Sequence, residues 1–164
     1  MSEQLFLLAE TETARQLAQR LFDDIDAQLR PLLPVEAEIR HIGATAIPGC
    51  LTKGDLDVVI RVPVADFPCA DAVLASRFAR NGGSVRTDSF SAFEDASQQP
   101  HLGLQLTVIG GNFDFFHQFA EALIQSPRLV EEYSALKRAH DNTDMEVYRA
   151  AKNAFIARVL SGAC

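Results

Sequence analysis

The sequence contains little that would suit a secreted, disulfide-bonded or membrane-spanning protein. Its three cysteines, Cys50, Cys69 and Cys164, are odd in number and widely spaced. Neither a disulfide framework nor a paired-cysteine zinc site is therefore expected. No run approaches the ~18 apolar residues of a membrane span, and no basic start precedes a long apolar stretch. The composition predicts a reduced, cytoplasmic protein that does not bind membranes.

Basic residues are also scarce. The chain has 15 Lys and Arg against 22 Asp and Glu, which gives a formal net charge of −7. General binding to DNA or RNA depends on clustered cations that neutralise phosphates, so it is not expected. A small anionic ligand remains compatible with the composition, because one pocket can be positive on an acidic protein.

The remaining composition is that of one globular domain. The chain has 164 residues, of which 48% are hydrophobic, enough for a single core. We expect one domain over 1–164. The predicted elements are a helix over 11–30, strands over 35–42 and 55–62, a helix over 66–80, strands over 84–93 and 102–109, and helices over 114–125, from 127 and from about 143. This order predicts an α+β fold, a small mixed sheet packed against helices, with a helical C-terminal part.

The segment over 41–62 carries the main chemical signal. Asp55 and Asp57 open a predicted strand, and alternation along a strand directs both side chains to one face. Two neighbouring carboxylates repel each other unless a cation lies between them, and Mg²⁺ prefers oxygen ligands. One aspartate exposed to solvent and the other capping a loop is the structural alternative.

The glycine turn before this strand suits a phosphate. Gly43 would let backbone N–H groups approach phosphate oxygens closely. Thr45 adds a hydroxyl group, and Lys53 adds a cation just before the carboxylates. The pattern predicts a phosphate or nucleotide pocket beside the paired aspartates.

These residues resemble a known family. Gly43-Ala44, ten intervening residues and Asp55-Leu56-Asp57 are similar to the signature of the nucleotidyltransferase superfamily, which has the DNA polymerase β-like fold. The chain more closely resembles the GrpB family of small bacterial proteins. The shared segments are His41-Ile42-Gly43-Ala44-Thr45-Ala46-Ile47-Pro48-Gly49, Lys53, Asp55-Leu56-Asp57, then Phe119, Leu123 and Pro127, Tyr133-Ser134-Ala135-Leu136-Lys137-Arg138, Tyr148-Arg149-Ala150-Ala151-Lys152 and Phe155-Ile156.

The resemblance implies a nucleotidyltransferase-like fold and a site for a nucleoside triphosphate. Asp55 and Asp57 would be the catalytic and Mg²⁺-binding residues. The nucleotide would be held by Gly43, Ala44, Thr45, Lys53, Gln105, Lys137 and Lys152. For the two lysines of the C-terminal helices, Lys137 and Lys152, surface charges that balance nearby acidic residues are the alternative.

The chain departs from the pattern at several positions. Ala44 replaces the usual serine of the turn, so one phosphate-binding hydroxyl is missing. The strand over 102–109 carries no carboxylate, although active members commonly place a third one on a later strand. Gln105 and Thr107 stand where relatives often have histidine, and a neutral amide is neither a base nor a good Mg²⁺ ligand.

Two other groups remain open from sequence alone. Glu94 and Asp95 would supply a third carboxylate from an adjacent edge, or else lie in a solvated turn. His101 borders the predicted sheet face and could approach a substrate. His41 is expected to bond to the glycine turn rather than to a metal.

Together these residues favour Mg²⁺-dependent transfer of a nucleotidyl group from a nucleoside triphosphate to an unknown acceptor. The departures at Ala44 and Gln105 favour the alternative, a non-catalytic nucleotide- or phosphate-binding module of the same fold. The oligomeric state is not predicted.

Overall fold

The secondary structure alternates between helices and strands before it ends in three helices. A computed structural model describes residues 4–162 of the chain. Its elements are α1 (Thr11–Leu29), β1 (Glu38–Ile42), β2 (Leu56–Val62), α2 (Phe67–Ala75), β3 (Ala79–Arg80), β4 (Phe90–Asp95), β5 (Leu102–Val108), α3 (Phe116–Ile124), α4 (Pro127–Ala139) and α5 (Met145–Leu160). No helix within 4–162 is both long and apolar enough to cross a membrane.

The five strands form one mixed sheet in the order β1-β2-β5-β4-β3. Strands β2 and β5 pair in parallel at its centre, and the other neighbouring pairs are antiparallel. The expected α+β fold, with a small mixed sheet and a helical C-terminal part, is confirmed.

One face of the sheet packs on α1 and α2. Every second residue of β2 from Leu56 to Val62, and of β5 from Leu102 to Val108, belongs to this buried cluster with Ile25 of α1. Fully burying such an aliphatic side chain contributes about 1.5–3 kcal/mol. Because side chains alternate along a strand, the residues between them, including Asp57 and Gly103, project to the opposite face.

The C-terminal helices cover part of that opposite face. Phe119, Tyr133 and Phe155 join α3, α4 and α5 through one stacked and two edge-on ring contacts. Helix α4 begins with Pro127 after Ser126, whose side chain accepts a hydrogen bond from Leu129 N–H, a favoured start. These helices therefore stand over the sheet as a separate packed layer.

Two predicted boundaries are wrong. The helix predicted over 66–80 ends at Ala75, because Ala79 and Arg80 instead pair with β4. The guanidinium of Arg80 also binds the Asp71 carboxylate at 2.7 and 3.0 Å. The strand predicted over 84–93 lies at Phe90–Asp95, so Glu94 and Asp95 belong to a strand rather than to a turn.

Candidate functional site

A polar cleft of about 510 Å³ opens between one end of the sheet and helices α4 and α5. Its lining includes seven of the nine site residues that the sequence predicted: Ala44, Lys53, Asp55, Asp57, Gln105, Lys137 and Lys152. Of the remaining two, Gly43 borders a smaller adjoining cavity, and Thr45 lies beneath the surface. The fold therefore brings together residues from positions 43 to 152.

Asp57 lies at the centre of this arrangement between two glycines. A Cβ atom on Gly43 would lie 2.7 Å from Asp57 Oδ2, and one on Gly103 would lie 3.0 Å from Asp57 Oδ1. The separation at Gly43 is shorter than packed atoms allow, and the one at Gly103 would require the carboxylate to shift by a few tenths of an ångström. The absence of side chains at both neighbours therefore makes room for the aspartate. Gly43 also has φ +75°, a backbone conformation that glycine adopts readily.

The charge on Asp57 is poorly accommodated in the isolated protein. Burial raises the pKa of Asp57, and the nearby charge of Asp55 raises it further. Lys152, Lys53 and Lys137 act in the opposite direction without cancelling the rise. Burial is thus the larger cause, although the sequence had suggested repulsion between the two aspartates. A cation in the cleft would stabilise the ionised form.

Asp55 lies at the more open side of the cleft. Its carboxylate is 3.2 Å from Lys53 Nζ and 3.9 Å from His101 Nδ1. Asp55 comes just before β2, whereas Asp57 lies within the strand and is fixed by pairing with Ile42 and Gly103. The two carboxylates therefore reach the cleft from different backbone positions, one just before the strand and one within it.

Thr45 does not occupy the predicted phosphate-contact position. The residue is only 1% exposed, and its hydroxyl donates to the Asp55 carbonyl at 3.0 Å. Its Oγ1 also lies 2.9 Å from His41 Nε2. We therefore assign Thr45 a structural role, in which it fixes the glycine turn against the start of β2. The expected bond between His41 and this turn is confirmed.

Lys137 also differs from the predicted simple phosphate contact. It is 3% exposed, and its Nζ donates to the Leu51 carbonyl and lies 3.7 Å from Cys50 Sγ. Burial lowers the pKa of Lys137 to about 8. The Leu51 N–H donates to Ser134 Oγ at 3.4 Å. Helix α4 thus holds the loop between the glycine turn and Asp55 at Leu51, whose N–H and carbonyl groups both bond to side chains of this helix.

A smaller cavity of about 120 Å³ adjoins the cleft behind Asp57. Phe115, Phe116 and Phe119 form much of its wall, while Gln105 and Lys152 border both cavities. Gln105 Oε1 is buried and has no hydrogen-bond partner, an unfavourable state for an amide oxygen.

The carboxylates suit a divalent ion that arrives with a ligand. Within 4–162, no group of three His, Cys, Asp or Glu side chains has the arrangement of a metal site. Mg²⁺ is nevertheless often bound by one or two carboxylates together with water and substrate phosphates. Asp55 and Asp57 fit that coordination, in which the phosphates would supply further ligands.

Two further residues border the cleft, and the sequence pattern singled out only one of them. Gly103 borders the cleft beside Asp57, and a glycine inside a strong strand pattern is a signal of close approach by another group. Glu94, one of the two residues proposed from the sequence as a third carboxylate, also lines the cleft, whereas Asp95 is not among the lining residues.

Comparison with known proteins places the chain in a family. The sequence profile described as GrpB protein matches residues 11–161. The chain belongs to the GrpB family. It is 33% identical over 146 residues to a UPF0157 protein of Vibrio cholerae, a match that covers 88% of this chain and 77% of that protein.

Solved structures show the same fold. The crystal structure of GrpB from Enterococcus faecalis matches with a TM-score of 0.67 and 17% identity, over 89% of this chain and 92% of that one. The Cid1 poly(U) polymerase bound to MgGTP matches with a TM-score of 0.52 and 12% identity, over 77% of this chain. A cytoplasmic RNA terminal U-transferase matches with a TM-score of 0.54 and 12% identity, over 80% of this chain. This GrpB-family chain therefore has a nucleotidyltransferase-like fold, although it spans only 42% and 41% of the last two proteins.

Proposed function

We propose that this GrpB-family protein transfers a nucleotidyl group from a nucleoside triphosphate to an acceptor in the presence of Mg²⁺. The observation that carries the proposal is Asp57, which lies between two glycines in a polar cleft with a raised pKa. A rigid carboxylate whose charge is destabilised in the free protein gains most when a cation binds.

In this proposal Asp55 and Asp57 hold the metal. Bound Mg²⁺ would neutralise phosphate charge and orient the transferred group. Lys53 and Lys152 would add positive charge on two sides of the cleft, which both residues line. The turn at Gly43 would present backbone N–H groups to phosphate oxygens. Thr45 and Lys137 would position that turn from beneath, through the contacts described above.

A labelled-nucleotide assay tests this function. Each of the four α-labelled nucleoside triphosphates is incubated with protein and Mg²⁺, and pyrophosphate release and transfer of label are followed. Asp57→Asn should reduce the rate by at least about 100-fold, since it removes transition-state charge stabilisation. Asp24→Asn, an exposed change on α1, serves as the control and should match wild type. Equal rates for wild type and Asp57→Asn would refute the assignment.

A second candidate is a nucleotide-binding module without turnover. It is favoured by Ala44 in the turn and by neutral Gln105 on β5, where an acidic side chain would complete the metal site. Isothermal titration with a non-hydrolysable nucleotide distinguishes the two candidates. Tight binding that is independent of Mg²⁺, without product after long incubation, would support the module. Binding that requires both Mg²⁺ and Asp57 would support the enzyme.

A further inference from the structure

One row of residues crosses the sheet at the cleft and places a third carboxylate opposite Asp57. In this row Gly103 of β5 pairs with Asp57 of β2 on one side and with Glu94 of β4 on the other. Neighbouring strands lie about 4.8 Å apart, so the backbones of Asp57 and Glu94 are about 10 Å apart. Both side chains project from the same face, and Gly103 between them has no side chain.

Asp57 Oδ1 fills one side of the space above Gly103, and no Glu94 atom is among the three atoms nearest to the position that a Cβ would take there. Asp57, Gly103 and Glu94 all border the same cavity. The Glu94 side chain is 41% exposed, so a bound molecule can reach its carboxylate. The space between the two carboxylates can therefore hold a reacting group that contacts both sides of the row.

His101 lies between Glu94 and the other aspartate. Its Nε2 is 3.7 Å from Glu94 Oε2, and its Nδ1 is 3.9 Å from Asp55 Oδ2. These distances exceed those of hydrogen bonds, but they place the ring between the two carboxylates. The imidazole thus links the two carboxylates along the open side of the cleft.

We propose that Glu94 is the general base that activates the acceptor, an inference that rests on the proposed function. An acceptor hydroxyl placed in the cleft between Gly103 and Glu94 would donate its proton to the Glu94 carboxylate. Its oxygen would form a bond to the α-phosphorus of the triphosphate. The bond from that phosphorus to the bridging oxygen would break, and pyrophosphate would leave with the electron pair. His101 is the positioning residue that orients Glu94.

The other cleft side chains are less suited to this step. Asp55 and Asp57 are required for the metal, and metal-bound carboxylates are weak bases. Gln105 has a neutral amide that cannot take up a proton. Lys137 donates to the Leu51 carbonyl. Glu94 has a carboxyl group that is accessible from the cleft, and its backbone is fixed on a paired strand.

The test uses the full chain and the nucleotide that wild type turns over fastest, with water as the acceptor. Glu94→Gln should lower kcat for Mg²⁺-dependent pyrophosphate release by about 10²–10⁴-fold, the range for loss of a general base. Its affinity for a non-hydrolysable nucleotide should stay within about twofold of wild type, because the base does not bind phosphate. Glu36→Gln removes one exposed carboxylate outside the cleft and should leave kcat unchanged.

Chemical rescue distinguishes a base from a merely structural residue. Added formate should restore part of the activity of Glu94→Ala but none of that of Asp57→Ala. An active wild type with equal activity in Glu94→Gln would overturn this assignment and leave the proposed function intact. The assignment would also fail if imidazole rescued His101→Ala while formate did not rescue Glu94→Ala, since His101 would then be the base. A wild type that releases no pyrophosphate from any nucleotide would overturn both proposals.

Discussion

Asp57 and Arg61 lie four residues apart on the same face of β2, and the protein accommodates their charges in opposite ways. Arg61 binds the Asp114 carboxylate through two nitrogens at 2.6 and 2.7 Å, and also binds Glu38 at 2.6 Å. Asp57 instead faces a cleft, between residues that lack side chains. One end of the sheet face is thus an internally satisfied ion network, and the other is open to a ligand.

The pKa values of the acidic groups follow the same division. Burial raises the pKa of Asp114, but hydrogen bonds from Arg61 and from Gly110 N–H outweigh this and leave the value low. For Asp57 the balance is reversed, and the pKa remains raised. A buried charge with its partners present stabilises the fold, whereas a buried charge without sufficient compensation is typical of a functional site.

The largest expected effect comes from removing Arg61 from its ion network. Arg61→Leu would leave Asp114 buried without its main partner, because the two side chains are only 11% and 6% exposed. We expect a loss of about 3–5 kcal/mol in the free energy of unfolding, measured by urea denaturation. Arg40→Leu, whose side chain is 42% exposed, should cost less than about 1 kcal/mol. Similar small losses in both variants would show that the buried ion network of Arg61 is no more important for stability than an exposed ion pair.

The second prediction concerns the glycines and uses a matched pair. Gly43 and Gly49 have nearly identical φ values of +75° and +76°, but no atom lies within 4 Å of the position that a Cβ on Gly49 would occupy. Gly49→Ala should cost about 1–2 kcal/mol from backbone strain alone. Gly43→Ala should cost about 1–3 kcal/mol more, because its methyl group would collide with Asp57 and because its ψ of −173° lies in a region that only glycine adopts readily.

A double variant isolates that collision. Adding Asp57→Ala to Gly43→Ala removes the colliding carboxylate and should recover the part of the additional loss that the collision causes, while the backbone strain at residue 43 remains. Thermal or urea unfolding of wild type, the two single variants and the double variant gives the coupling energy between the two positions. Equal costs at Gly43 and Gly49, with no coupling to Asp57, would show that the turn adapts freely.

The cleft around Asp57 was partly predictable from the sequence because its main residues lie close together along the chain. The apolar alternation of β2 and the Asp-x-Asp spacing were enough to bring Asp55 and Asp57 to one cleft. The glycine turn at Gly43 precedes Asp55 by twelve positions, still within one short segment. These features depend on strand periodicity, which is visible within a short window.

The remaining features depend on tertiary contacts. Glu94 faces the cleft only because β4 starts at Phe90 and pairs with β5 in a particular register. Thr45 is buried because its hydroxyl bonds to a residue ten positions away. The partner of Arg61, Asp114, is 53 residues distant. No local pattern encodes such pairings, so the sequence identified the charged residues without showing which were satisfied.

Magnesium should distinguish the two ends directly. Binding to the native state alone stabilises a protein by mass action, and we expect about 1–3 kcal/mol at concentrations well above the dissociation constant. Asp57→Asn should abolish this gain, whereas Arg40→Leu should retain it. Thermal melts with and without millimolar Mg²⁺ measure the shift. An absent shift in wild type would mean that the metal binds only together with nucleotide.

The smallest expected effect is the pH dependence of the metal-free protein. Because the pKa of Asp57 is raised by folding, the folded state favours the protonated form. Its stabilising contribution is complete below the unfolded value of about 3.9 and is lost as the pH rises through the folded value. Asparagine resembles the protonated form at every pH. Asp57→Asn should therefore be slightly more stable than wild type at pH 7, and the difference should shrink as the pH falls towards 4.

Urea unfolding of both proteins between pH 4 and 8 measures this difference, with Asp24→Asn as the control. Asp24 is exposed on α1, so its substitution should produce little change in stability at any pH. If Asp57 instead capped the glycine turn, its substitution would destabilise the protein at neutral pH by about 1 kcal/mol. The sign of the difference at pH 7 therefore decides between two roles for Asp57. A more stable variant means that the Asp57 charge destabilises the free protein and is available to a ligand, whereas a less stable variant means that Asp57 stabilises the fold, as Arg61 does.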